Sequence, residues 1–272
     1  MEFHINKFAD EFKKTIDWML NDCHAQELKD DLLSFQKNKN ILETKPYPIE
    51  ALSMIVELIK TNSLHSKTSE NFRKKMKDFR RKYKDEYDEN FRTQKVKDEL
   101  IEIVGKRKQR NIERLFECLE SENLTLKKFT DKLYELAKQG KTEVLGPKGR
   151  DNYLRDFGYW DRIPIDIHEK RFIIRSGIYH SCSSKQQSDP LDKDDLQDAL
   201  TRFCKTYLKG FKVYLKDKEE EIEIELGSAP GIVDIFIWSF SAEDRYNICG
   251  DTPKCDECKL KGVCLYALTN SQ

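Results

Sequence analysis

The sequence predicts an all-α fold with one small β-hairpin. Two observations carry this reading. Apolar residues recur at three- and four-residue intervals over most of the chain, and strict alternation is confined to Phe211–Leu226. No internal repeat or low-complexity linker interrupts the pattern. At 272 residues the chain is long enough to bury a sizeable core, as one large domain or two small ones.

The elements follow in order. Phe8, Phe12, Ile16 and Leu20 are spaced by four and predict a helix over Phe8–Leu20. Pro46 and Pro48 break the next stretch. Leu52, Ile55, Val56 and Ile59 form a one-sided stripe, so Ile49–Ile59 reads as an amphipathic helix. Phe72–Tyr83 is strongly basic, with Phe72, Met76, Phe79 and Tyr83 at helical spacing. It can be a surface for backbone phosphates, or a solvated helix face with its aromatics in the core. An acidic run, Lys84–Glu89, follows at once. Further helices are expected at Val96–Val104, Arg110–Leu119, Leu126–Lys138, Pro147–Phe157, Ile167–Gly177 and Leu191–Leu208. In Phe211–Leu226 the alternation predicts a hairpin turning near Lys216–Lys218, with a charged helix as the competing reading. Pro230-Gly231 punctuates, and Ile232–Phe240 reads as a buried helix.

Charged residues make up 36% of the chain, yet the net charge is zero. The global basic excess of a simple nucleic-acid binder is absent, so local patches must carry any such role. No apolar run of membrane-spanning length and no signal-peptide pattern are seen. The expectation is a soluble, monomeric, intracellular protein of the cytoplasm or nucleoid, with no membrane partner.

Of eight cysteines, Cys23, Cys118, Cys182 and Cys204 are scattered, whereas Cys249, Cys255, Cys258 and Cys264 fall within sixteen residues. Such clustering in an intracellular protein points to metal rather than disulfides. The gaps are five, two and five residues, so one Cys-x-x-Cys unit is present. Four thiolates can hold a tetrahedral zinc or a [4Fe–4S] cluster. Zinc ribbons usually pair two such units, which favours iron–sulfur. Lys254, Lys259 and Lys261 would then project from a rigid loop, where they could meet phosphates.

A second constellation is Thr142-Glu143-Val144-Leu145-Gly146-Pro147-Lys148, between two predicted helices. Gly146 is expected in a turn conformation closed to other residues, and Pro147 suits the first position of the next helix. The backbone amides of Val144, Leu145 and Gly146 would point outward as an anion site, with Arg150 beside them. Lys148 falls in the first helical turn. The positive end of the helix dipole makes this a poor place for an ammonium and favours the nucleophilic amine, an effect Arg150 would reinforce. The plainer reading is a surface lysine contacting phosphate or solvent. Eighteen residues on comes Ile163-Pro164-Ile165-Asp166-Ile167-His168-Glu169. Asp166-x-x-Glu169 is a capping box, which does not exclude a further role for Asp166.

Together these pieces resemble the endonuclease III superfamily of helix-hairpin-helix DNA glycosylases. In that family a Gly-hydrophobic-Gly hairpin precedes a catalytic lysine, and an aspartate follows in a Val-Asp-Thr-His context. The matching positions are Leu145-Gly146, Lys148 and Ile165-Asp166-Ile167-His168. The iron–sulfur branch ends in a four-cysteine loop behind a tryptophan-bearing helix, as Trp238 and Arg245 stand before Cys249 here. Asn62 matches a polar residue that enters the gap left by the extruded base. Tyr153-Leu154-Arg155-Asp156-Phe157-Gly158-Tyr159 is similar to archaeal 8-oxoguanine glycosylases. The likeness is clear over 110–166 and 234–264 and thinner elsewhere. Val144 replaces the first hairpin glycine, the first cysteine gap is five rather than six, and the stretch around 70–100 is unlike the family.

The resemblance implies two helical subdomains flanking a cleft. Residues 1–48 would pack on the C-terminal half, 50–150 would form the subdomain with the hairpin, 151–248 the second subdomain, and 249–264 the cluster loop. It implies a base-excision-repair glycosylase with AP lyase activity on lesion-bearing duplex DNA, in which Lys148 attacks C1′ and Asp166 stabilises the cationic sugar. Two alternatives stand beside it. One is a non-catalytic DNA-binding module with a structural metal; the other is a glycosylase without lyase chemistry.

Overall fold

A computed structural model describes residues 2–22, 25–61, 70–84, 94–121, 125–184, 192–217 and 220–270. Among them are thirteen α-helices and one two-stranded antiparallel sheet. The helices are α1 (Ile5–Met19), α2 (Ala25–Thr44), α3 (Ile49–Thr61), α4 (Glu70–Tyr83), α5 (Gln94–Val104), α6 (Gln109–Ser121), α7 (Leu126–Lys138), α8 (Pro147–Asp156), α9 (Ile167–Arg175), α10 (Ile178–Cys182), α11 (Lys193–Tyr207), α12 (Pro230–Ser241) and α13 (Leu265–Asn270). Strands β1 (Lys212–Asp217) and β2 (Glu220–Glu225) lie between α11 and α12. No described helix is long and apolar enough to cross a membrane.

The chain divides into two compact units. One is continuous, Ser34–Tyr159; the other is split, Met1–Leu33 with Trp160–Gln272.

In the continuous unit, the stripe Leu52, Ile55, Val56 and Ile59 of α3 is buried, and α3 touches α4, α5, α6 and α8. Phe72, Met76, Phe79 and Tyr83 of α4 enter the same core, so the aromatics of that basic helix are structural. Thr125 caps α7 by accepting from the amide of Lys128 at 3.3 Å. A buried contact of 2.8 Å between the hydroxyls of Thr130 and Tyr153 ties α7 to α8.

The split unit is built on aromatic packing. Phe8 and Phe12 of α1 meet Phe172 of α9 and Phe203 of α11, with ring centroids 5.5 to 6.3 Å apart. Phe240 of α12 meets Phe172 edge-on at 6.1 Å. The hairpin pairs Lys212 with Glu225, Tyr214 with Glu223 and Lys216 with Glu221 on its outer face. Val213, Leu215 and Ile224 are buried on its inner face. Period-two burial and opposite-charge cross-strand pairs explain why this charged stretch is sheet rather than helix. Lys218 of the expected turn lies outside the described residues.

Three helices go beyond the sequence expectation: α2, α10 and α13. In α2, Leu28, Leu32, Phe35 and Leu42 are buried at helical spacing, but charged and polar residues surround them and dilute the stripe. The other two have five and six residues, too few for a periodic signal.

Candidate functional site

The hairpin belongs to the continuous unit. Helix α7 ends where Gly140 takes a left-handed φ of 68°. Gly140 N donates to Ala137 O at 3.1 Å and Lys141 N to Leu136 O at 2.9 Å, a Schellman termination. Residues 141–146 then lead into α8, whose first turn holds Pro147 as expected. Val144 and Leu145 bury their side chains in the core and so anchor the loop. Among the described residues, no protein group accepts from the backbone amides of Val144, Leu145 and Gly146. Just ahead of a helix start, these form a cluster of donors suited to an anion.

Two hairpin expectations need correction. Gly146 has φ −64° and ψ 165°, an extended conformation open to any residue, and a Cβ there would meet nothing within 4 Å. The turn that requires glycine is at Gly140. Arg150 is not an outward cation. It is 4% exposed, donates to the carboxylate of Asp151 from Nε at 3.0 Å and Nη2 at 3.2 Å, and donates from Nη1 to Lys141 O. The adjacent carboxylate neutralises its charge, so it neither repels Lys148 nor reaches a phosphate; it clamps the start of the loop to α8. Glu143 adds a second tie, accepting from Lys132 at 3.4 Å and from the Cys118 thiol at 3.2 Å. Lys148 is half-buried in the first turn of α8. Asn62 lies outside the described residues.

Asp166 belongs to the split unit and caps α9. Its Oδ1 accepts from His168 N at 2.7 Å, and its own amide donates to Glu169 Oε2 at 2.8 Å, completing the capping box. Asp166 stays half-buried, while Ile165 is buried and Ile167 is 50% exposed, so only one of its isoleucine neighbours packs inward. His168 keeps Nδ1 buried with no hydrogen-bond partner among the described residues.

Beneath this cap lies a feature the sequence did not disclose. Glu169 is 2% exposed, and Asp234 of α12 is 1% exposed. Burial, then the charge of Asp234, then Asp166, push the Glu169 carboxyl well above the usual carboxylate range. Glu169 therefore keeps its proton where an exposed carboxyl would lose it.

The cysteine loop is held by α9 and α12. Ile248 N donates to Phe240 O at 2.9 Å, and Lys254 N to Ile248 O at 2.8 Å. Arg175 is the clamp: Nη1 donates to Gly250 O at 2.5 Å and Nη2 to Asp251 O at 3.0 Å, and its guanidinium lies 5.4 Å from the Tyr266 ring. One turn earlier, Arg171 pairs with Asp251 at 2.6 Å. The Arg171, Arg175 spacing along α9 was the available signal, but nothing local names their partners about 75 residues on. Lys259 does not project freely; its Nζ lies 4.7 Å from the centre of the Trp18 ring.

Burial raises the thiols of Cys249 and Cys264, and raises that of Cys258 to about 12. The charges of the other three thiols add to the effect at Cys258. The four sulfurs are thus close enough to repel one another as thiolates, which is the chemistry a bound cation relieves. That donor set fits a thiolate-bound metal. Among the described residues, no three Cys, His, Asp or Glu side chains are placed to hold an ion as they stand.

Compared with known proteins, the chain matches no protein-family model, no curated protein and no solved structure.

Proposed function

We propose that this protein is a base-excision DNA glycosylase with AP lyase activity. The observation that carries the reading is the hairpin. Unpaired amides are presented just ahead of a helix whose first turn carries Lys148, and Arg150 and Glu143 hold the loop rigid. Such donors suit a DNA phosphate, and bring the amine to the sugar beside it.

The chemistry follows from the residue types. A damaged base leaves the helical stack, at an unstacking cost of a few kcal/mol. As the N-glycosidic bond breaks, its electron pair leaves with the base and the sugar gains cationic character, which the Asp166 carboxylate stabilises. The Lys148 amine forms a bond to C1′, loses its protons and becomes an imine after ring opening. Loss of a proton from C2′ then expels the 3′ phosphate by β-elimination. Cys249, Cys255, Cys258 and Cys264 would hold a [4Fe–4S] cluster, or zinc, whose contribution is to order the loop.

The test is borohydride trapping on duplexes that each carry one lesion. Wild-type protein is expected to leave a protein–DNA crosslink on a denaturing gel, and Lys148→Gln to lose it while still binding DNA. A crosslink that persists in Lys148→Gln transfers the role to another lysine. Base release without any crosslink in the wild type would leave a glycosylase lacking lyase chemistry. Neither release nor crosslink on any lesion would leave a binding module.

A further inference from the structure

We infer that the outer face of α4, together with the turn Lys106–Lys108, is a binding surface for the phosphate backbone of duplex DNA. The inference shares its partner with the reading above but not its chemistry, because none of these residues takes part in excision.

The zero net charge conceals a division. The continuous unit, Ser34–Tyr159, carries 29 basic against 21 acidic residues, a net of +8. The split unit carries 20 against 28, a net of −8. A polyanion is therefore drawn to one unit and repelled by the other.

Within the basic unit, α4 has seven Lys and Arg residues and two acidic ones. Three of the seven are taken up internally: Arg80 with Glu57, Arg81 with Asp78 and Lys82 with Glu99. Arg73, Lys74, Lys75 and Lys77 are exposed; Arg73 lies within the field of Glu57, and among the described residues no carboxylate pairs with the three lysines. Lys74, Lys77 and Arg81 lie on the side of α4 opposite its buried aromatics, and Arg73 flanks them.

A second element joins them. Lys60 Nζ lies 5.9 Å from the Phe72 ring centre and donates to Val104 O at 2.8 Å. This fixes the start of α4 beside the end of α5. The chain turns there at Gly105, with φ 88°, into exposed Lys106 and Arg107. Cations from two elements thus gather around the start of α4, where a single charged helix face would have nothing beyond solvent to explain it.

The surface suits nucleic acid rather than a bilayer. A membrane-surface helix needs an apolar face free to enter lipid. In α4 that face, Phe72, Met76, Phe79 and Tyr83, is already spent on the core.

The experiment measures binding to an undamaged duplex as a function of salt. Lys74→Gln with Lys77→Gln removes two phosphate contacts and should lower the log–log salt slope by about 1.8, from roughly 0.9 per phosphate. Neutralising two exposed lysines of the split unit, Lys205→Gln with Lys209→Gln, should leave the slope unchanged. All four positions are exposed, so circular dichroism is expected to match the wild type in both double variants. An unchanged slope in Lys74→Gln/Lys77→Gln overturns the inference, as does tighter binding to phosphatidylserine vesicles than to duplex at equal salt. Lost trapping with an intact slope effect would sink only the lyase reading. Intact trapping with no slope effect would sink only this one.

Discussion

Replacing Glu169 by Gln tests whether burial and the charges of Asp234 and Asp166 hold its carboxyl above the usual range. Gln keeps an oxygen to accept from the Asp166 amide and offers an N–H where the protonated acid offered O–H, so the cap survives. What changes is titration. In the folded protein Glu169 holds its proton well above the usual range, because of burial and the neighbouring Asp234 and Asp166. In the unfolded chain it releases that proton near pH 4.3. A raised folded value makes the native state the better proton binder, so this group's contribution is fully present at acid pH. It is lost as pH climbs from the unfolded value to the folded one. Across that window one proton sets a slope of about 1.4 kcal/mol per pH unit. Glu169→Gln is expected to match the wild type near pH 4 and to become more stable than it as pH rises through the folded-state value. Urea unfolding followed by tryptophan fluorescence suits the purpose, because Trp18, Trp160 and Trp238, the chain's three tryptophans, all lie in the split unit that holds Glu169. Parallel pH profiles for the two proteins would refute the raised carboxyl, and so would a variant that weakens relative to wild type as pH rises.

Two further outcomes are expected. Asp166→Asn keeps a good N-cap, so its melting temperature should hold while single-turnover excision falls by on the order of a hundredfold; Asp166→Ala should lose about 1 kcal/mol of stability as well. Normal excision by Asp166→Asn would reduce that residue to a cap. Protein purified without oxygen should contain about four irons per chain, and Cys258→Ser should lose iron and solubility before it loses activity per folded molecule; an active, colourless preparation with stoichiometric zinc would assign the loop to zinc.

What could be read in the sequence was whatever depends on neighbours along the chain. The stripe Leu52, Ile55, Val56, Ile59 needs only one buried helix face to be recognised, and 212–225 only a period of two. The Asp166–Glu169 capping box spans a single turn, so it was legible too. The partnership of Glu169 with Asp234 was not, because it joins two helices far apart in sequence. Arg175 was missed for the same reason: its partners are backbone carbonyls, which every residue has and no motif marks. Arg150 and Gly146 were misread differently. Both were assigned roles by residue type, as an outward cation and as a strained turn. Arg150 instead turns inward onto the neighbouring Asp151, and Gly140 already supplies the left-handed turn.

The inward Arg150 bears on the hairpin's purpose. A buried ion pair is a poor source of stability, since desolvation takes back most of what attraction gives, and apolar residues of similar size often serve as well. The pair with Asp151 therefore calls for a reason other than stability. Its third bond supplies one: Nη1 reaches the carbonyl of Lys141, at the start of the loop whose far end is capped by Gly146. The guanidinium thus fixes the loop by a directional contact that an apolar side chain could not make. With its charge cancelled by Asp151, the hairpin presents the amides of Val144, Leu145 and Gly146, and Lys148 follows in the first turn of the next helix. A donor cluster of that kind acts on a phosphate only if its amides are already oriented when the phosphate arrives. In this protein that orientation comes from a buried arginine, which the sequence offered as a ligand for DNA and the fold uses as a brace.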